Sequence, residues 1–229
     1  MDKKQHKLLL EVLRRFQDKG ILKSVILIGS WCVPLYKQYF KELKNVSTLR
    51  TRDMDFLVPL DAKFKRMVDV VDLLKDLDFK ERFVGQEGYI QLIHVYLTLE
   101  FLVPEKGRGS DKPYELPELG LNAQRLRFMD MLIEDTIQVE VDGIKVIVPH
   151  PVAFALNKLL ICNRRSGSNK KEKSDKDKRV ALQILDSLIK AKELAPVKGI
   201  FRALHENKKK EIVRTLKNED ATTILNVLT

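Results

Sequence analysis

Cysteine and histidine are scarce in this chain, and long apolar runs are missing. There are two cysteines, Cys32 and Cys162, and four histidines in 229 residues. Two cysteines cannot frame a disulfide scaffold. Both stand in apolar surroundings, so each is expected as a core thiol. No pair of histidines has the spacing of a zinc site. His94 falls in an apolar strand and reads as a satisfied core residue, and His150 stands between two prolines. No nucleophile elbow and no internal repeat is present. No stretch approaches the ~20 apolar residues that a membrane span needs. The opening MDKKQHKLLLEVLRRF is too interrupted by charge for a signal peptide. The expected location is therefore the cytoplasm, with no membrane partner.

Positive charge is abundant. Lys and Arg number 42 against 32 Asp and Glu, a net +10. That excess points to a polyanionic ligand such as a nucleotide, RNA or DNA, although part of it sits in one lysine-rich stretch. The length suits one large domain or two small ones, with ample material for a core.

The stretch Val25 to Pro59 organises the chain. Val25-Ile26-Leu27-Ile28 is a short apolar run stopped by Gly29-Ser30, the pattern of a buried strand. Around Asp53-Met54-Asp55-Phe56 polar and apolar residues alternate. On a strand, residues two apart share a face and lie ~6.6 Å apart along the chain. Asp53 and Asp55 then point the same way, and two like charges on one face repel unless a cation stands between them. Aspartate oxygens suit magnesium.

Gly29-Ser30 followed by Asp53-x-Asp55 resembles the nucleotidyltransferase superfamily to which DNA polymerase beta belongs. It resembles still more closely uncharacterised bacterial nucleotidyltransferase-like proteins and the nucleotidyltransferase toxins of toxin–antitoxin systems. The gap between Ser30 and Asp53 is longer than in compact members. The resemblance implies an α+β fold: a mixed β-sheet with flanking helices over residues 1–150, the catalytic domain, then a helical C-terminal domain over 151–229. It implies Asp53, Asp55 and Glu100 as catalytic and metal-binding carboxylates, with two Mg2+ ions, or Mn2+ in their place. Gly29 and Ser30 would bind the triphosphate of an NTP. From the toxin-like members it implies Lys158, Arg164 or Arg165, and the Lys176-Asp177 pair in the helical half, with Lys158 and Arg164 toward the nucleotide. The implied activity is transfer of a nucleoside monophosphate from an NTP to RNA, a protein or a small molecule. Two alternatives stand beside it: a non-catalytic nucleotide- or RNA-binding module, and a toxin whose partner is an antitoxin.

Elsewhere, Leu9, Val12, Leu13 and Phe16 recur at helical spacing, and Gly20 ends that helix. Helices are expected from Ser30 to about Leu43, with Pro34 in the first turn, and from Ala62 to Leu77. Two strands are expected over Tyr89–Val95 and Tyr96–Val103, or one long bent strand. Gly107 to Ser110 reads as a loop, and Asp142-Gly143 as a hairpin turn between two short strands. A helix follows over Val152–Asn163. Arg164–Lys178 is polar and aperiodic, the pattern of a mobile linker. The chain then resumes as helices.

Overall fold

The computed structural model describes residues 3–48, 51–105, 107, 109, 112–162 and 168–229. The chain divides into two compact units: Met1–Cys32 with Arg50–Val148, and Val33–Leu49 with Pro149–Thr229. The helical unit thus takes in residues 33–49 as well as the C-terminal stretch.

The first unit opens with α1 (Lys3–Asp18). Its buried residues Leu9, Val12, Leu13 and Phe16 recur at three- and four-residue spacing, one stripe of a helix. Gly20, at φ 78°, turns the chain after it and leads to β1 (Ile26–Ile28). Then come β2 (Asp53–Leu57), α3 (Val70–Leu74), β3 (Lys80–Val84), β4 (Tyr89–Ile93), β5 (Thr98–Pro104), β6 (Tyr114–Leu116), β7 (Leu121–Leu126), α4 (Met131–Glu134), β8 (Thr136–Val141) and β9 (Ile144–Pro149). The helix α2 (Cys32–Tyr39) lies between β1 and β2 in sequence.

The main sheet has the order β1-β2-β5-β4-β3. It is mixed: β2 and β5 run parallel, while β1–β2, β5–β4 and β4–β3 are antiparallel. β7 pairs in parallel with the end of β5, and β6 with β7. One face of the sheet carries Met54, Phe56, Leu99 and Phe101, all buried. Phe16 of α1 packs on that face, 5.2 Å from Phe56 and 6.3 Å from Phe101 between ring centres. Ring pairs at such distances add about 0.5–1.5 kcal/mol beyond the apolar area they bury. On the other face, Ile26, Ile28, Leu57 and Leu102 join Met129 and Leu132 in an apolar cluster. β8 and β9 form a separate hairpin. Its turn residues Asp142 and Gly143 both have positive φ, 47° and 76°, as a two-residue type I′ turn requires.

The helical unit holds α5 (Pro151–Ile161), α6 (Ser168–Lys190), α7 (Leu194–Ala203), α8 (Glu206–Asn218) and α9 (Thr222–Leu228). His150 caps α5, its Nδ1 accepting from Val152 N at 3.2 Å. α5 packs against α6, α7 and α8 and is buried on all sides from Pro151 to Leu160. That burial includes Lys158, whose Nζ lies 2.5 Å from Asp177 Oδ1 of α6 and 4.9 Å from the centre of the Phe154 ring. Among the described residues, no helix is long and apolar enough to cross a membrane.

Several elements depart from the periodicity. The helix expected from Ala62 is reduced to α3, because Asp69 accepts a hydrogen bond from Asp72 N and so starts the helix there. Met67, within the span of that expected helix, is 75% exposed. The helix from Ser30 is a tight turn over Gly29–Trp31 followed by the short α2. Of the expected linker, Ser168–Lys178 belongs to α6; helical hydrogen bonding outweighs the polar composition there. Residues 163–167 lie outside the described residues. The strands β3, β6 and β7 were not expected.

Asp177→Ala leaves the Lys158 charge buried without its partner and is expected to cost about 3–5 kcal/mol. The double change Lys158→Met with Asp177→Leu recovers most of that loss, as chemical denaturation of the full chain will test. At His94, Nδ1 accepts from Tyr96 N at 3.1 Å, and the imidazole packs beside Phe79 and Tyr96. Its burial pushes the pKa below 6.5, against a smaller opposing pull from Asp78. A His pKa lowered by folding gives stability that is full above pH 6.5 and is lost as pH falls through the lowered value. The melting temperature of His94→Asn, whose amide oxygen can still accept from Tyr96, is expected to fall less on acidification than that of the parent. Parallel melting curves in the two proteins would contradict this.

Candidate active site

At the end of β1 the chain must turn sharply without leaving the sheet. Gly29 does this with φ at 75°, a conformation that costs other L-residues roughly 1–2 kcal/mol. It is also the only residue type with room here. A Cβ at position 29 would sit 2.5 Å from Asp55 Oδ2. The Gly29–Trp31 turn is therefore backed directly against the Asp55 carboxylate. This follows from register, since Ile28, the residue before Gly29, is the partner of Asp55.

The same register runs on across the sheet. Asp55 is opposite Glu100, Glu100 opposite Gln91, and Gln91 opposite Arg82. One row of side chains thus crosses β2, β5, β4 and β3 on the face away from α1. Arg82 donates to Gln91 Oε1 from Nε at 3.1 Å and also from Nη2, and Gln91 Nε2 donates to Glu100 Oε1. Glu100 is thereby tied to a cation two strands away through a neutral amide. The next row toward the start of β2 is Asp53, Thr98, Ile93 and Lys80. Asp53 is exposed, while Asp55 and Glu100 are half-buried.

Beside Asp53 opens a cavity of about 650 Å3. Its wall includes Gln5, Arg52, Asp53, Arg82, Tyr96 and Thr98. Gln5 of α1 fixes the rim by donating to the carbonyls of Thr51 and Tyr96 at 2.8 and 3.1 Å.

The structure brings Gly29, Ser30, Asp53, Asp55 and Glu100 to one region of one sheet. The three carboxylates fit magnesium in kind, as hard oxygen donors on neighbouring positions of one face. Among the described residues, no three His, Cys, Asp or Glu side chains are grouped closely enough to hold a metal as they stand, and Glu100 is engaged by Gln91. Lys158 belongs to the helical unit, where Asp177 takes its charge. Arg164 lies outside the described residues. His150 serves as a helix cap. Gln91, Arg82 and the cavity were missed from the sequence. Alternation along Tyr89-Ile90-Gln91-Leu92-Ile93 places Gln91 on one face, but only strand pairing shows that its neighbour is Glu100. Arg82 gave no signal, because its strand did not.

A family model described as nucleotidyltransferase matches residues 7–204. No curated protein matches the chain. Among solved structures, an antigenic nucleotidyltransferase-like protein from Paracoccidioides brasiliensis superposes with a TM-score of 0.51 at 15% identity, covering 95% of this chain and 91% of that one. The solution structure of the antibiotic-resistance factor ANT(2'')-Ia gives 0.45 at 11% identity, covering 97% and 96%. The family match spans the sheet and most of the helical unit, and on it the chain belongs to the nucleotidyltransferase family.

Proposed function

We propose that this protein transfers a nucleoside monophosphate from an NTP to an acceptor hydroxyl, in a magnesium-dependent reaction on the face that carries Asp53, Asp55 and Glu100. The observation that supports it most is the register. Asp55 and Glu100 are direct partners on parallel strands, with the Gly29 turn closed against Asp55.

Asp53, Asp55 and Glu100 would hold the magnesium, which when bound offsets charge on the attacking and leaving oxygens. The Gly29–Ser30 turn offers backbone N–H groups and the Ser30 hydroxyl to the triphosphate. Its missing side chain leaves room for the Asp55 carboxylate, so the turn and the carboxylate stand side by side. The acceptor oxygen attacks the α-phosphorus, a new P–O bond forms, and the bond to the β-phosphate oxygen breaks, releasing pyrophosphate. Glu100, oriented by Gln91, is placed to take the proton of the acceptor hydroxyl. The neutral amide of Gln91 donates to one oxygen of Glu100 and adds no charge of its own beside it. Lys158 has no part in this scheme, because its charge is taken up by Asp177 inside the helical unit.

The test is label transfer. The full-length protein is incubated with magnesium, each α-labelled NTP in turn, and RNA, protein or small-molecule fractions of a cell extract. Asp53→Asn and Asp55→Asn are expected to abolish labelling. Asp53 is exposed, so Asp53→Asn should melt where the parent does. Labelling by both variants at the parent rate would sink the proposal. Gly29→Ala combines an unfavourable φ with a clash at Asp55. It is expected to destabilise by about 1–2 kcal/mol and to cut transfer by more than that loss of folded protein explains. Full activity in Gly29→Ala would show that the turn does not seat the triphosphate.

A further inference from the structure

The carboxylate rows have two flanks of different chemistry. At Asp55 stands the Gly29–Ser30 turn. At Asp53 lies the 650 Å3 cavity, which is lined by neither Gly29 nor Ser30. Its size falls within the range of small-molecule clefts, roughly 300–1,000 Å3. Its ionic wall residues are Arg52 and Arg82 against the one acid Asp53. Guanidinium forks suit phosphate, because planar paired N–H groups match its oxygens. The rest of the wall suits a ring and its hydroxyls: Tyr96 is aromatic, Val95 is an apolar side chain left 66% exposed, and Thr98 and Gln5 are polar.

We propose that this cavity is the acceptor pocket, and that it takes a phosphate-bearing nucleotide, either free or at the end of an RNA strand. The phosphate rests on Arg52 and Arg82, the base packs on Tyr96 and Val95, and the hydroxyl lies toward Asp53. The hydroxyl's role rests on the nucleotidyl-transfer reading; binding itself does not. The row across the sheet adds a consequence. Arg82 holds Gln91 and Gln91 holds Glu100, so a phosphate that draws Arg82 away loosens the amide that holds Glu100. Occupancy of the acceptor pocket is thereby felt at the third carboxylate.

Binding is measured without NTP, with two probes on the full-length protein: AMP by calorimetry, and a 5′-fluorescein RNA octamer with a free 3′-hydroxyl by anisotropy. Arg82→Glu and Arg52→Glu are each expected to weaken binding about tenfold or more, as loss of a charge-assisted contact does. Lys210→Glu, an exposed charge reversal on α8, is expected to change it less than about twofold. Arginine-dependent binding of AMP identifies the free nucleotide as a sufficient ligand. Arginine-dependent binding of the octamer alone identifies the strand end. Binding of neither probe, binding unchanged by Arg82→Glu, or equal loss in Lys210→Glu overturns the proposal. Arginine-dependent binding together with failed label transfer would overturn the catalytic reading and leave the pocket standing.

Discussion

The close approach of Gly29 to Asp55 is the constraint on which the rest of the site depends. A carboxylate oxygen occupies the space where any other residue would carry its Cβ. That contact is possible only if β1 and β2 pair with Ile28 opposite Asp55. A slip of one residue in this pair would turn Asp53 and Asp55 to the face covered by α1, and Met54 and Phe56 to the open face. Phe56 stacks on Phe101 at 5.5 Å and meets Phe16, so the slip would bury two carboxylates beside aromatic rings. Burying charge without a partner is far costlier than any gain in packing. The apolar face therefore fixes the register, and the register places the carboxylates.

The open face is itself divided along its strands. Leu57 and Leu102, toward the strand ends, are covered by the cluster with Met129 and Leu132. Two residues earlier on each strand come Asp55 and Glu100, and two before those come Asp53 and Thr98. Each step of two residues keeps the face but moves roughly 6.6 Å along it. A dry plate thus passes into a half-buried carboxylate pair and then into an exposed cavity rim. This gradient suits a site that must anchor charge and yet admit a substrate: the apolar end gives rigidity, and the cavity end gives access.

Much of this was legible in the sequence where local chemistry decides it. Gly29-Ser30 and Asp53-x-Asp55 were readable because a strand's alternation and a glycine stop are local signals. The same holds for the α1 stripe and the Asp142-Gly143 turn. Glu100 was readable by resemblance, and its place opposite Asp55 became clear only with the parallel pairing. What failed were features decided at a distance. The strand β3 has an exposed edge composition, Lys80-Glu81-Arg82-Phe83-Val84, with no apolar alternation to mark it, and it is held by its pairing with β4. The helix expected from Ala62 shrank because the Asp69 cap outweighed hydrophobic spacing. The resemblance implied Lys158 and Asp177 as separate positions and did not pair them. Asp177 is nineteen residues beyond Lys158, and nothing local to α5 announces it.

The neutral link between Arg82 and Glu100 has a physical rationale of its own. Neighbouring strands lie about 4.8 Å apart, so residues two strands apart are separated by roughly 10 Å at the backbone. Gln91 spans that gap, taking Arg82 on its carbonyl oxygen and giving its amide to Glu100. Gln91 in between gives orientation without charge. Its amide donates to Glu100, and its carbonyl oxygen is held by the guanidinium, so the amide cannot rotate freely. In a chain with a net charge of +10, cations are easy to supply. Fixing one in line with Glu100 is harder, and strand pairing does that here.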